Sequence, residues 1–343
     1  MPGLRQHRRR YVAVGLISTG LLFIAPAVAW ADAADITIDF IRHGQSIDNA
    51  AGIIDTVPPG TGLTPEGITQ ATTIGEQLAL ANQGSYAELL SSEELRAIET
   101  AGNISAALDN MPVQPPMAGL DEINAGIYEG QSIYSLDGLL YLTTPMAWVF
   151  GADLVPMPGS PDVNGVVFDQ RYTEAVDAIY DQTANAGANP TDIAVSSEGS
   201  ITTWALMNVK NPDFSLLLTE LLEKGQFLPN VGEVVVHGDP QDGWTLVSYD
   251  GVPVPQNPDL PTELFVDFRN LIEAPQFAGY DIYQALLTGN STTIEAALQT
   301  GINQVDTALA QFPVAVLDDV LGALTGATPA AAGALVGDTF AGL

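Results

Sequence analysis

The stretch Ile36 to Asn49, ITIDFIRHGQSIDN, constrains this chain more than any other. Ile36, Ile38 and Phe40 alternate with Thr37 and Asp39, and Ile41 follows them. That period and β-branched content describe a buried strand. The strand stops at Arg42-His43-Gly44. The glycine lets the backbone turn away, so the arginine and histidine stand at the carboxyl end of the strand, where open α/β sheets gather their ligands. A fixed cation beside a neutral imidazole suits an anion that is held while a nitrogen attacks it. Phosphoryl transfer through a phosphohistidine has that requirement.

The 343 residues suffice for one large domain with an appendage or for two domains, and a 46% hydrophobic content argues against disorder. The absence of cysteine excludes disulfides, thiolate catalysis and cysteine metal sites. Residues 1–31 read as a signal peptide. Arg5, Arg8, Arg9 and Arg10 precede an uncharged run from Tyr11 to Ala29, and AVAWADA offers cleavage after Ala31 or Ala29. The competing reading is a retained anchor, because the apolar run nearly reaches spanning length. Pro26 and the small residues favour cleavage, so the chain is expected to be secreted or held in the cell envelope. Beyond the leader, six basic residues face all 41 acids. Such a surface repels nucleic acid and anionic lipid, and holds a phosphorylated ligand only where its few cations converge. Solubility or salt tolerance accounts for the acidity itself.

A polar, proline- and glycine-rich loop follows, from Gly52 to Gly62, and then LTPEGITQA opens a helix with Thr64 as its cap and Pro65 in its first turn. Tyr86–Ser91 reads as a strand, Glu94–Leu108 as a helix, Gln170–Ala186 as a helix, Asp192–Ser196 as a strand and Gly199–Val209 as a helix. Val231–His237 and Trp244–Tyr249 read as an edge pair. The alternation predicts an α/β fold, a three-layer α/β/α sandwich around a mostly parallel sheet. Between Gln131 and Asp169 the period breaks among prolines and large apolar residues, which reads as an insertion over the site or a plain excursion. From Pro258 the pattern changes to four amphipathic helices, Thr262–Glu273, Tyr280–Leu287, Ser291–Phe312 and Val314–Leu324. They are punctuated by Pro275, Gly289, Pro313 and Gly326, and none is long and uncharged enough to span a bilayer. The expected organisation is a leader (1–31), a main domain (32–257, with 131–169 as its insertion) and a helical C-terminal region (258–343). The last is read as an appendage packed on the main domain in preference to a membrane or partner contact.

Four pieces occur in order: RHGQSIDN (Arg42–Asn49), LTPEGITQA (Leu63–Ala71), SSEELRAIETA (Ser91–Ala101) and LDEINAGIYEG (Leu120–Gly130). Together they resemble the histidine phosphatase superfamily, the phosphoglycerate mutase-like proteins, over about Asp35 to Gly251. The resemblance implies a phosphoglycerate mutase-like fold, no metal and no cofactor. It also implies His43 as nucleophile, Arg42 and Arg96 as phosphate-holding arginines, Asn49 as a polar contact to the ligand and Glu122 as the proton donor. Glu129 is the nearest rival for that last role. Guanidinium forks match phosphate oxygens in pairs, and a carboxyl group of raised pKa can protonate a leaving alkoxide, so the chemistry agrees.

One motif departs from the family. A strand ending in Ser-His-Gly is expected later in the chain, and AVSSEGSITTW stands there, with Ser197 in place of the second pocket histidine and Glu198 in place of the glycine. His237, in VVVHGDP, reads as an ordinary strand-end histidine. Losing a charged hydrogen bond worth about 1.5–3 kcal/mol would slow transfer about ten- to a few hundred-fold. Glu198, and Glu93 and Glu94 if they face the pocket, would add repulsion. The expected function is therefore an exported hydrolase of phosphate monoesters with reduced activity, acting on a small phosphorylated substrate. The alternatives are an inactive phospho-ligand binding protein on the same fold, or an envelope protein working through its C-terminal helices.

Overall fold

The computed structural model describes residues 34–81, 85–187 and 190–325; the leader at 1–31 and the Ala/Gly-rich end lie outside them. The elements begin with β1 (Ile36–Arg42), α1 (Ile47–Ala51), α2 (Pro65–Leu80), β2 (Leu89–Ser91) and α3 (Leu95–Ala107). After two 3₁₀ turns come α4 (Leu136–Val149), α5 (Gly165–Thr183), β3 (Thr191–Ser196), α6 (Glu198–Asn208) and α7 (Phe214–Lys224). The chain continues through β4 (Glu233–Asp239), β5 (Gly243–Tyr249), β6 (Val252–Pro253), α8 (Leu260–Leu287) and α9 (Ser291–Thr325).

The sheet order is β2-β3-β1-β4-β5-β6. β2, β3 and β1 run parallel, with Arg42 opposite Ser196, whereas β4, β5 and β6 are antiparallel additions. The three parallel strands thus deliver their carboxyl ends to one rim, and the segments leading into α3 and α6 start there. On one face Phe40 packs against Tyr172 of α5 and Trp204 of α6, at centroid distances of 5.9 and 5.4 Å. On the other, Ile41 and Val195 bury against Ile74 and Leu78 of α2 and Ala101 and Ile104 of α3. Helices on both faces of a mixed sheet make this the expected three-layer α/β/α fold.

Several details differ from expectation. β4 is not at the edge: it pairs directly with β1, and the two-residue β6 closes that side. The segment 131–169 contains a regular helix, α4, capped by Ser135, whose Oγ accepts from Gly138 N at 3.1 Å. Its period was masked because Leu136, Leu139 and Leu140 are apolar yet exposed, while Tyr141 and Trp148 take the buried face with Pro145 between them. α7 had no sequence reading; Asp213 caps it, accepting from Ser215 N and Leu216 N.

The four C-terminal helices are two. α8 runs through Pro275 and α9 through Pro313, so those prolines are interior and only Gly289, at φ +64°, marks a turn. An interior proline removes one backbone hydrogen bond, and tertiary packing offsets the loss. In α8, Arg269 donates to Leu206 O at 2.7 Å and Gln276 to Gly151 O at 2.6 Å, which ties the helix to the main domain on both sides of Pro275. The merging also overturns the expectation about spanning length. By length and composition alone, α9 is apolar enough to cross a bilayer, with a window of mean hydropathy 1.4 that is 6% buried.

Candidate active site

Backbone contacts place His43 before any charge acts. His43 N donates to Ser196 O at 3.0 Å, extending the β1–β3 pairing by one residue. Gly44 N donates to Thr100 Oγ1 of α3 at 3.0 Å. Gly44 and Gly67 press backbone on backbone: a Cβ on Gly44 would meet Gly67 O at 2.5 Å, and one on Gly67 would meet Gln45 O at 2.1 Å. The imidazole is 2% exposed. Its Nδ1 lies 2.7 Å from Gly44 O, which can only accept, so Nδ1 carries the proton and Nε2 bears the lone pair. Burial, then Arg96, then Arg42, push the imidazole pKa well below its usual range, against the opposing Gly44 carbonyl.

The structure brings Arg96 and Ser197 to that lone pair. Arg96 Nε donates to His43 Nε2 at 2.9 Å, and its Nη2 donates to Ser197 Oγ at 3.2 Å. Ser197 precedes the first residue of α6 and is fully buried, so the departure in the later motif lies inside the cluster. Arg96 also pairs with Asp55 and Glu94, each at 3.4 Å. Glu94 is buried and accepts from Glu122 N at 2.7 Å, whereas Glu93 is exposed.

Arg42 is also buried, but its three acceptors all sit on Nη1: Gln226 Oε1 at 2.8 Å, Leu228 O, and Glu198 Oε2 at 2.8 Å. Its Nε is buried with no hydrogen-bond partner among the described residues. Glu198 is therefore the partner of Arg42, not a loose charge. Its Oε1 accepts from Phe227 N at 2.6 Å and Leu228 N at 3.2 Å.

Glu122 is held by the start of α6. Its oxygens accept from Gly199 N at 3.0 Å, Ser200 Oγ at 3.1 Å and its neighbour Ile123 N at 2.8 Å. Burial raises its pKa and Glu94 adds to the rise, while the N–H of Ile123, Arg96 and the N–H of Gly199 oppose it. Glu129, the rival, is committed elsewhere, accepting from Thr56 Oγ1 at 2.6 Å and Thr56 N at 3.0 Å.

Asn49 is further out. Its Oδ1 accepts from Ser46 N, closing the cap of α1, and from Asn230 Nδ2, both at 3.4 Å; Asn230 Nδ2 also reaches His43 O at 3.1 Å. His237 pairs across from Thr37, at the opposite end of β1 from His43, and hydrogen-bonds Thr37 Oγ1. Sequence reasoning missed Asp55, Gln226 and Asn230, which reach the cluster from irregular segments that carry no period. Among the described residues no group of His, Asp and Glu has the arrangement of a metal site.

This cluster carries the four ordered motifs on the fold expected of them, and the chain belongs to the histidine phosphatase superfamily (branch 1), whose family model matches residues 38–218. A curated relative is the PE-PGRS family protein PE_PGRS11 of Mycobacterium tuberculosis, 48% identical over 295 residues, or 84% of this chain. The chain spans about half of that relative's length (49%). Solved structures with a similar fold include phosphoglycerate mutase from Bacillus anthracis, at 21% identity and TM-score 0.45 over 63% of this chain and 93% of that one. A mycobacterial glucosyl-3-phosphoglycerate phosphatase matches at 20% identity and TM-score 0.46, over 63% of this chain and 99% of its own.

Proposed function

We propose that this protein is an exported phosphatase-type hydrolase of phosphate monoesters, of reduced activity, working through a phosphohistidine at His43. The observation that carries the reading is the His43 imidazole, whose Nδ1–H is tied to Gly44 O while Nε2 faces Arg96. In the first step Nε2 bonds to phosphorus, the bond from phosphorus to the leaving oxygen breaks, and the Glu122 carboxyl gives its proton to that oxygen. In the second, water attacks the phosphohistidine, Glu122 takes the water's proton, and phosphate leaves as the P–N bond breaks. Arg42 and Arg96 hold the phosphoryl oxygens in both steps. Ser197 offers Arg96 a neutral oxygen where a second imidazole would have supplied charge, which supports a slowed reaction.

A binding function without turnover is the second reading, favoured by the acids on both arginines: Glu198 on Arg42, and Asp55 and Glu94 on Arg96. Hydrolysis of p-nitrophenyl phosphate by the full chain, beside His43→Ala, separates the two. Turnover that falls by about a thousandfold or more in the variant supports the hydrolase, since the covalent route is lost. Equal rates in both proteins end it.

A further inference from the structure

The charge balance around His43 singles out Glu198. Arg42 is matched by Glu198 at 2.8 Å, and Arg96 by Asp55 and Glu94 at 3.4 Å. His43 is neutral, and Glu122 is near enough for Arg96 and Glu94 both to bear on its ionisation. Acids thus outnumber cations at the site. Glu198 is also fixed, because Phe227 N and Leu228 N hold its Oε1, while Tyr249 Oη donates to Phe227 O at 2.8 Å. Yet Arg42 retains a buried Nε with no partner among the described residues, a donor that calls for an acceptor.

Building on the phosphatase reading, we propose that Glu198 makes this a site for singly charged phosphoryl groups in preference to dianions. Either anion can accept from the unmet donor of Arg42, but only a monoanion's P–OH, where it has one, gives a carboxylate oxygen a proton to accept. A dianion has no such donor and meets fixed negative charge from Glu198, Asp55 and Glu94, with little water to screen it.

The test is binding of methyl phosphate and of dimethyl phosphate to the full chain, by calorimetry at pH 5 and pH 8. A phosphate monoester with a second ionisation near pH 6 is about 90% monoanion at pH 5 and about 1% at pH 8. Its dissociation constant is therefore expected to rise about tenfold or more, whereas that of the diester, singly charged throughout, changes less than about threefold. Asp121, pushed up to about 7 by burial and Glu94, titrates between the two pH values, and burial also raises the Glu122 pKa; the diester reads the effect of both on a singly charged ligand. Glu198→Gln keeps an oxygen for the two amides and removes one of the three charges, and is expected to strengthen monoester binding at pH 8 and shrink its pH dependence by about threefold or more. Methyl phosphate bound equally or more tightly at pH 8, both ligands weakening together, or an unchanged slope in Glu198→Gln overturns the inference and leaves an anion site standing. Failure of both ligands to bind at either pH overturns the phosphatase reading as well.

Discussion

The Nε–H of Arg96 points at Nε2 of His43 from 2.9 Å, so the guanidinium expected to hold the phosphate also occupies the lone pair expected to attack it. A ligand anion that draws Arg96 to itself releases that lone pair. Arg96→Gln removes a cation that depresses the imidazole pKa, so His43 should take up its proton at a higher pH than in the parent protein. A histidine NMR titration reads this directly; an unmoved midpoint would mean that burial and Arg42 set the value without Arg96. Phosphatase turnover in the same variant should fall by about a hundredfold to about ten-thousandfold, the loss of two charged hydrogen bonds.

Glu122 can be tested through the leaving group. A proton donor matters most where the departing oxygen is a strong base. Glu122→Gln should slow an alkyl phosphate about a hundredfold or more and p-nitrophenyl phosphate less than about tenfold. Gly199→Ala should reproduce part of the effect, because its Cβ would stand 2.6 Å from Glu122 Oε1. Equal slowing of both substrates would remove Glu122 from the proton-transfer role.

Ser197→His should accelerate p-nitrophenyl phosphate turnover about tenfold or more, by placing beside Arg96 a second charged donor to the phosphoryl oxygens. Adding Glu198→Gly should give no further gain in kcat, since the carboxylate clamps Arg42 Nη1 and the 227–228 amides. A double variant faster than the single one would show that Glu198 obstructs more than it positions.

Asp192 supplies a stability prediction independent of function. It is fully buried on β3 and accepts from Thr183 Oγ1 at 2.8 Å; burial raises its pKa to about 7. The folded state then holds a proton that the unfolded chain has lost above about pH 4, so this group's contribution falls as pH rises from 4 to 7. Asp192→Asn should raise unfolding stability at pH 8 by roughly 1–3 kcal/mol and by much less at pH 4. Urea midpoints at the two pH values check it, and an equal shift at both would refute the buried-charge explanation.

Arg42 and His43 were legible because they stand where the first strand ends, alternation stops and a glycine follows, whereas Arg96 was placed through its motif. Glu122 could be placed through its motif, but its partners Gly199 and Ser200 could not, since they arrive from α6. Asp55 was hidden in an aperiodic loop, and Asn230 lies far along the chain from the His43 carbonyl that it binds. The sequence shows the sign of Glu198 but not the amides and guanidinium that fix it in place. The long C-terminal helices were misread for a related reason. A proline records a lost local hydrogen bond, whereas the anchors at Arg269 and Gln276 that tie the continuous α8 to the main domain are tertiary.

The Gly44–Gly67 contact makes the position of the imidazole a property of the main chain. No side chain takes part in it, so exchanging the charges that rim the site leaves the histidine where it is. Rate and ligand preference can drift through the surrounding acids and arginines while the central geometry persists. A methyl group at either glycine, chemically inert and remote from phosphorus, would wedge the strand end away from its helix and disable the histidine more thoroughly than a lost charge.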